Sequence, residues 1–245
     1  MCMLAILYRA VEGCPVLVAA NREESYARQG TPPELWQTDP PILAGRDPLA
    51  GGTWLGVNRF GLLVAITNRR GTPSPPQPRS RGLLCRDLLA CGNATDAHAQ
   101  AFSEIARHPY AGFNLLILDS TSGFILHADT QPRSRPLSAG IFVLTTGELN
   151  DNSDARIAHA LQWLETRHPQ PLQSWLQELP HLCSFHGDAN LAAICLHSAD
   201  RGTVSSSIIA LPAHSTPPRW LHVQGPPCHH TYSEYSQSLA KLLTS

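Results

Sequence analysis

The chain has 245 residues, of which 42% are hydrophobic and 15% charged, so it has enough apolar side chains for a sizeable core and lacks the composition of a disordered protein. Its formal net charge is −1 at pH 7, which argues against nucleic acid and anionic membrane surfaces as partners. We predict a single domain over residues 1–245.

The sequence gives no indication of a membrane span. Residues 3–8 are apolar, but the run is short and no basic stretch precedes it, as one does in a secretory signal. The cysteines are odd in number and irregularly spaced, in a chain too large to need covalent cross-links, which favours reduced thiols. These features predict a cytoplasmic protein.

Paired apolar runs predict three hairpins, formed by residues 2–8 with 15–20, 53–58 with 62–68, and 113–118 with 124–128. Between the second and third hairpins we predict helices at 81–90 and 94–107, the first from four leucines that fall on one helical face, Leu83, Leu84, Leu88 and Leu89. The later predicted elements are a strand at 141–145, helices at 154–167 and 172–179, strands at 191–197, 205–211 and 219–224, and a helix at 234–243. Hairpins with helices in blocks predict an α+β fold with mostly antiparallel sheets.

Cys2, at the start of the first predicted strand, is the strongest candidate for chemistry. Removal of Met1 would give this residue both a thiol, with a reference pKa of about 8.5, and a free α-amino group, with a reference pKa of about 7.7–8.0. The amine can then accept the thiol proton, a known way to activate a nucleophile. A small buried residue at a strand start explains the position alone equally well.

A polar run, Asn21-Arg22-Glu23-Glu24, follows the second predicted strand, where we expect the chain to leave the sheet. Arg22 can stabilise a thiolate or hold a substrate carboxylate, and a neighbouring carboxylate can orient it. The same run would be unremarkable as a solvated turn. Asn68 ends another predicted strand; its amide can donate to an oxyanion, although Asn is also an ordinary turn residue.

The last third of the chain is rich in soft metal ligands, namely His181, Cys183, His186, Cys195, His197, Cys228, His229 and His230. They suggest a metal or haem site, and strand alternation would place Cys195 and His197 on one face. Their spacings match no compact zinc module, which has paired C-x₂-C elements. We therefore predict no metal and no cofactor.

A series of short motifs resembles the NRDE family, also called the transport and Golgi organisation 2 family. In chain order they are Met1-Cys2, Asn21-Arg22-Glu23-Glu24, Gly51-Gly52-Thr53-Trp54-Leu55-Gly56, Thr67-Asn68-Arg69, Phe113-Asn114-Leu115-Leu116, Leu149-Asn150-Asp151, His197, Gly202-Thr203, Ser205-Ser206-Ser207 and Gly225-Pro226-Pro227-Cys228. Their order and spacing cover nearly the whole chain. The sequence departs from the family pattern at Glu23, where the family has Asp, and at Val204, where it usually has Arg.

The resemblance implies a fold related to the N-terminal nucleophile hydrolases of the choloylglycine hydrolase and penicillin acylase group, a four-layer αββα sandwich with an N-terminal cysteine nucleophile. Carried across by motif, Cys2 would be the nucleophile, Arg22 or Asn21 would position the substrate, and Asn68 would donate to the oxyanion. Asn150 and Asp151 fall near the place where those hydrolases have another active-site asparagine. The predicted catalytic residues are therefore Cys2, Asn68 and Arg22, and the predicted substrate-binding residues are Asn21, Glu23, Glu24, Asn150 and Asp151.

These residues and the resemblance predict hydrolysis or acyl transfer at an amide or acyl bond of a small molecule, after removal of Met1. Members of the resembling family have been linked to haem trafficking and to lipid or acyl-CoA homeostasis. A non-enzymatic carrier of haem or an acyl lipid on the same fold is therefore the alternative. A structural or trafficking partner protein is a third possibility, suggested by the family name.

Overall fold

The computed structural model describes residues 2–213 and 216–244. Met1, whose removal the catalytic hypothesis requires, lies outside the described residues. Internal contacts divide the chain into two compact units. The first contains the residues up to Gln29 together with Ser138–Ser236, and the second contains Gly30–Leu137 together with the segment from Gln237. The single domain predicted for 1–245 stays a prediction.

The described residues form thirteen strands and five helices. The strands are β1 (Cys2–Val11), β2 (Cys14–Ser25), β3 (Glu34–Trp36), β4 (Ile42–Ala44), β5 (Leu55–Asn58), β6 (Leu63–Asn68), β7 (Phe113–Leu118), β8 (Gly123–Ala128), β9 (Arg133–Pro136), β10 (Gly140–Leu144), β11 (Arg201–Leu211), β12 (Arg219–Gln224) and β13 (Ser233–Glu234). The helices are α1 (Arg81–Leu88), α2 (Ala94–Arg107), α3 (Ala155–Glu165), α4 (Leu172–Ser184) and α5 (Ser236–Thr244).

The first unit is built on an antiparallel sheet in the order β10-β1-β2-β11-β12-β13. Strands β1 and β2 form a hairpin whose turn contains Gly13 at a φ of 68°, a conformation that glycine adopts without strain. Because side chains alternate along a strand, one set of apolar residues faces α3 and α4. That core includes Met3, Ala5, Leu7, Leu17, Ala19, Ile157, Leu161, Trp175 and Leu179.

The second unit is built on an antiparallel sheet in the order β3-β4-β5-β6-β7-β8-β9. Helices α1 and α2 pack on one face of it, over a core that includes Leu62, Val64, Ile66, Leu84, Leu88, Ala97, Ala101, Leu115 and Ile117. Buried Asn58 ties the end of β5 to this helical layer, since its Nδ2 donates to the carbonyl oxygens of Leu89 and Cys91 at 2.9 and 2.7 Å.

All three predicted hairpins are confirmed, and α2 and β12 have the predicted limits. Helix α4 extends to Ser184, beyond its predicted end at 179, with Pro180 inside it. The prediction that the chain leaves the sheet after residue 20 is wrong, because β2 continues to Ser25, paired with β1 as far as Arg22 and with β11 as far as Ser25. The short strands β3, β4, β9 and β13 were not predicted.

The predicted strand at 191–197 is also wrong, since this segment is irregular apart from one bridge between His197 and Gly202. Its backbone groups find other partners. The N–H groups of Ile194 and Cys195 donate to the carbonyl oxygen of Phe185 at 2.8 and 2.7 Å. Its carbonyl oxygens accept from side chains of β2 and α3, so the segment needs no neighbouring strand.

None of the helices in the described parts of the chain combines the length and apolar character needed to span a bilayer.

Candidate active site

Cys2 begins β1 directly opposite Arg22 of β2. Directly opposed residues of antiparallel strands share a face of the sheet, so these two side chains are neighbours. Ser205 of β11 is opposite Arg22, and Gln224 of β12 is opposite Ser205. Together these four residues form a row across four strands, which we call the polar row. It lies on the face opposite α3 and α4, because Met3 and Ala5 occupy the helical face.

Cys2 as a residue is half-buried at the end of this row. Burial raises the pKa of the Cys2 thiol and the Glu23 carboxylate adds to the increase, whereas a backbone hydrogen bond from Glu23 and the charge of Arg22 oppose it. The thiol therefore needs a base to become a thiolate near neutral pH. Arg22 supplies positive charge, and the base has to come from another group.

Arg22 is buried, with 7% of its surface exposed. Its Nη1 and Nη2 atoms donate to the carbonyl oxygen of Arg28 at 3.3 and 3.4 Å. Glu24 shares the face of Arg22 by alternation, and its Oε2 lies 3.9 Å from Nη1 of Arg28. The segment after β2 thus holds Arg22 in place beside Cys2.

The other two residues of the polar run lie on the helical face. Asn21 is fully buried, and its Nδ2 donates to the carbonyl oxygens of Cys183 and Ile194 at 2.9 and 3.2 Å. Glu23 is also buried and forms a two-pronged ion pair with Arg156 of α3, with Nη1 and Oε2 separated by 3.2 Å and Nη2 bonded to Oε1. The structure therefore uses both residues to connect β2 to the helical layer and to residues 191–197. Their predicted roles in substrate binding stay predictions.

Arg156 extends this connection. Its Nε donates to the carbonyl oxygen of Ala193 at 3.0 Å, and its Nη2 donates to that of Ile194 at 3.1 Å. The guanidinium is thus shared between a carboxylate of the sheet and two carbonyls of the irregular segment.

Asn150 and Asp151 lie in the loop between β10 and α3. Asn150 has a φ of 58°, and its Oδ1 accepts from the N–H of Val143 at 2.7 Å. Its side chain thereby replaces a strand partner at the outer edge of β10. Asp151 accepts from the backbone N–H and the hydroxyl of Ser153 at 3.0 and 2.7 Å. Both residues thus organise the loop, and their substrate-binding role stays a prediction.

Asn68 belongs to the second unit, where it ends β6 opposite Phe113 and is exposed. It follows the alternation of Val64 and Ile66, which face α1 and α2. Its neighbour Thr67 faces the other way and accepts from Asn114 Nδ2 at 3.3 Å. The oxyanion role of Asn68 stays a prediction.

Four polar residues of β11 and β12 were not predicted as functional, although Ser205 and Ser207 lie in a motif of the resemblance. Besides Ser205 and Gln224 of the polar row, Ser207 and His222 are opposed two pairs further along the strands, on the same face. The Ser207 hydroxyl lies 2.8 Å from His222 Nδ1. Burial lowers the pKa of His222 to about 4, so this ring is neutral near pH 7. In β12, the alternation of His222 and Gln224 with Leu221 and Val223 is the sequence signal that identifies this face.

Two solved structures share the fold of this chain. The Caenorhabditis elegans ortholog of N-acylethanolamine-hydrolyzing acid amidase matches with a TM-score of 0.59 and 15% identity, over 86% of this chain and 94% of that one. A C2A mutant of the conjugated bile acid hydrolase from Clostridium perfringens matches with a TM-score of 0.58 and 10% identity, over 96% of each chain. They confirm the predicted fold class, an α+β fold built on antiparallel sheets.

Sequence comparison gives the family. The Transport and Golgi organization 2 homolog of Mus musculus is 36% identical over 111 residues, which cover 44% of this chain and 40% of that protein. The Homo sapiens homolog is 35% identical over 107 residues, covering 42% of this chain and 38% of that protein, so the matched part spans about two fifths of these curated relatives. A family model described as Transport and Golgi organisation 2 matches residues 1–215. The chain therefore belongs to the Transport and Golgi organisation 2 family.

Proposed function

We propose that this protein is an N-terminal cysteine hydrolase or acyltransferase that cleaves an amide or acyl bond of a small molecule. The observation that carries the proposal is the position of Cys2, half-buried at the first residue of β1 and opposite Arg22. Two proteins with the same fold are named as hydrolases of N-acylethanolamines and of conjugated bile acids, and these names support an amide substrate.

The reaction begins once Met1 has been removed and Cys2 carries a free α-amino group. The amine takes the thiol proton, and the thiolate attacks the carbonyl carbon of the substrate. The carbon–nitrogen bond then breaks, and the leaving amine receives the proton from the α-ammonium group. Water hydrolyses the resulting thioester to a carboxylic acid and the free thiol, or a second amine accepts the acyl group.

The electrostatics of Cys2 favour this sequence of steps. Because burial raises the pKa of its thiol, a stable thiolate is a minor species at neutral pH. An adjacent amine is therefore needed to remove the proton as the sulfur attacks. The charge of Arg22 then stabilises the thiolate that forms.

The test compares Cys2→Ala with Cys228→Ala in untagged protein, because Cys2 and Cys228 are the two half-buried cysteines among the described residues. Intact mass shows whether Met1 has been removed, and a β-lactone probe acylates a reactive N-terminal cysteine. We expect the mature protein to lack Met1 and to gain one acyl group. Cys2→Ala should abolish the gain, and Cys228→Ala should preserve it.

Hydrolysis is followed on a panel of N-acyl amides that release a fluorescent amine. We expect turnover by the native protein and none by Cys2→Ala. A retained Met1, or labelling and turnover that survive in Cys2→Ala, would exclude Cys2 as the nucleophile.

A further inference from the structure

Four ligand-bearing side chains from separate parts of the first unit converge beyond the end of β12. Cys195 Sγ lies 3.7 Å from His197 Nε2 and 3.7 Å from Cys228 Sγ, and His197 Nε2 lies 3.1 Å from Cys228 Sγ. His186, just after α4, has a ring nitrogen within 4.8 Å of the ligand atoms of His197 and Cys228. We call these four residues the Cys/His cluster.

These separations match the edges of a small coordination tetrahedron. With metal–sulfur bonds of about 2.3 Å and metal–nitrogen bonds of about 2.0 Å, tetrahedral angles place two sulfurs about 3.8 Å apart and a sulfur and a nitrogen about 3.5 Å apart. The two thiols of the cluster are separated by 3.7 Å, and the sulfur–nitrogen pairs by 3.1 and 3.7 Å. His186 is exposed, so rotation of its side chain can bring its ring into the remaining position.

We propose that Cys195, His197, Cys228 and His186 bind one divalent transition-metal ion of the Zn²⁺ type. Two thiolates and two imidazoles form a donor set that zinc prefers in structural sites. Because all four positions of the tetrahedron come from the protein, the ion has no place for a substrate and its role is structural. Binding releases the two thiol protons and changes no oxidation state.

The local fold indicates what the ion would stabilise. Residues 191–197 lack regular strand bonding, and one part of them is fixed by side chains, with Asn21 and Arg156 both donating to the carbonyl oxygen of Ile194. The metal would fix the following part, at Cys195 and His197, to the turn that carries Cys228. The sequence offers these four residues among other soft ligands, and their spacing led to the prediction of no metal. Cys228 lies 31 residues beyond His197 and meets it only in the folded unit.

The experiment uses untagged protein purified with a phosphine reductant, stripped with a chelator and titrated with Co²⁺. We expect the ligand-field bands of tetrahedral cobalt and a sulfur-to-cobalt charge-transfer band, both saturating at one equivalent and both lost when Zn²⁺ is added. Elemental analysis of protein that has not been stripped should give one zinc per chain. Loading with Zn²⁺ should also raise the Tm.

Variants at the exposed histidines test metal binding with little disturbance of the folded core, because these side chains are not part of it. His197→Ala and His186→Ala should each weaken Co²⁺ binding by at least about tenfold. His181→Ala, a matched exposed histidine outside the cluster, should leave binding unchanged, as should Cys91→Ser and the Cys2→Ala variant. Cys228→Ser should remove the charge-transfer intensity that its sulfur contributes.

Three results would overturn the proposal. The first is stripped protein that takes up no Co²⁺ at stoichiometric concentration. The second is binding that persists at full affinity when His197→Ala and Cys228→Ser are combined, or that His181→Ala weakens as much as His197→Ala does. The third is a Cys195–Cys228 disulfide in protein kept under reductant. None of these outcomes depends on hydrolase activity.

Discussion

The two faces of the first sheet use the same polar run differently. Along β2, Asn21 and Glu23 face α3 and α4, where they bond to carbonyl groups and to Arg156. Arg22 and Glu24 lie on the other face, and Arg22 is opposite Cys2. The difference shows that a run of polar residues inside a strand is two separate sets. The first set holds the helical layer and the irregular segment. From the second set Arg22 lies beside the thiol, although the charge of Glu23 also acts on the pKa of that thiol.

The largest effect on stability should come from removing the carboxylate of the helical face. Glu23→Ala leaves the Arg156 guanidinium without its buried counter-ion, and we expect the free energy of unfolding to fall by about 4 kcal/mol. Glu24→Ala, one residue along and on the other face, should cost less than about 1 kcal/mol because its partner is distant and partly exposed. Urea unfolding of both variants measures the difference, and equal losses would contradict the assignment of the two faces.

The Cys2 face also contains a buried titratable group, and its pH dependence provides the second test. The pKa of His222 is about 4 in the folded protein and near the ordinary value of about 6.5 when unfolded. Between these values the unfolded chain binds more protons, so stability rises with pH across this window and is lost as pH falls through it. We expect the His222 ring to account for a loss of about 3 kcal/mol between pH 7 and pH 4.

This loss is measured by urea unfolding at a series of pH values for the native protein and for His222→Gln, which has no titrating ring. The native protein should lose the extra stability as pH falls, and the variant should not. Ser207→Ala removes the hydroxyl beside the ring but keeps the ring itself, so its pH dependence should resemble that of the native protein. Parallel curves for native protein and His222→Gln would show that the ring is not desolvated.

The sequence predicts the regular parts of this molecule well. Hairpins and helices with strong apolar periodicity, such as α2, are local patterns, and the structure contains them. The end of β2 could not be predicted, because Asn21 and Glu23 are unusual residues in a strand interior. They are accommodated by partners more than a hundred residues away, at Cys183, Ile194 and Arg156.

The candidate site also contains residues that local sequence indicates and residues that only the fold brings together. Cys2 could be proposed from the sequence, because its residue type and its place at the start of an apolar strand are local features. Its neighbours Ser205 and Gln224 follow from strand register, which also depends on the bulge between Thr203 and Ser205. A short apolar run such as 191–197 is typical of a strand, yet here side-chain donors satisfy its carbonyl groups instead.

A smaller effect should come from the buried amide of the helical face. Asn21→Ala removes the donors to the carbonyl oxygens of Cys183 and Ile194, and we expect a loss of about 2 kcal/mol in the free energy of unfolding. Asn58→Ala in the second unit is a matched control, since its Nδ2 also donates to two carbonyls while its Oδ1 accepts from the N–H groups of Phe60 and Leu62. Asn21 Oδ1 has no hydrogen-bond partner within the described residues, so Asn58→Ala should cost more. Denaturant titration of both variants ranks them, and the opposite ranking would contradict this account.

The smallest expected effect is on the reactivity of Cys2, and it should differ between variants of Arg22 and of Arg156, which lie on opposite faces of the sheet. The charge of Arg22 lowers the pKa of the Cys2 thiol, so Arg22→Gln should shift the pH profile of Cys2 alkylation by iodoacetamide to higher pH, with the rate near neutral pH falling about threefold. Arg22→Lys keeps the charge and should keep most of the rate. Arg156→Gln removes a half-buried cation from the helical face, so it should lower stability while leaving the alkylation profile in place. Peptide mapping by mass spectrometry assigns the modification to Cys2. If the pH profile shifts equally in Arg22→Gln and Arg156→Gln, the thiol responds to the net charge around the sheet and not to the residue opposite it.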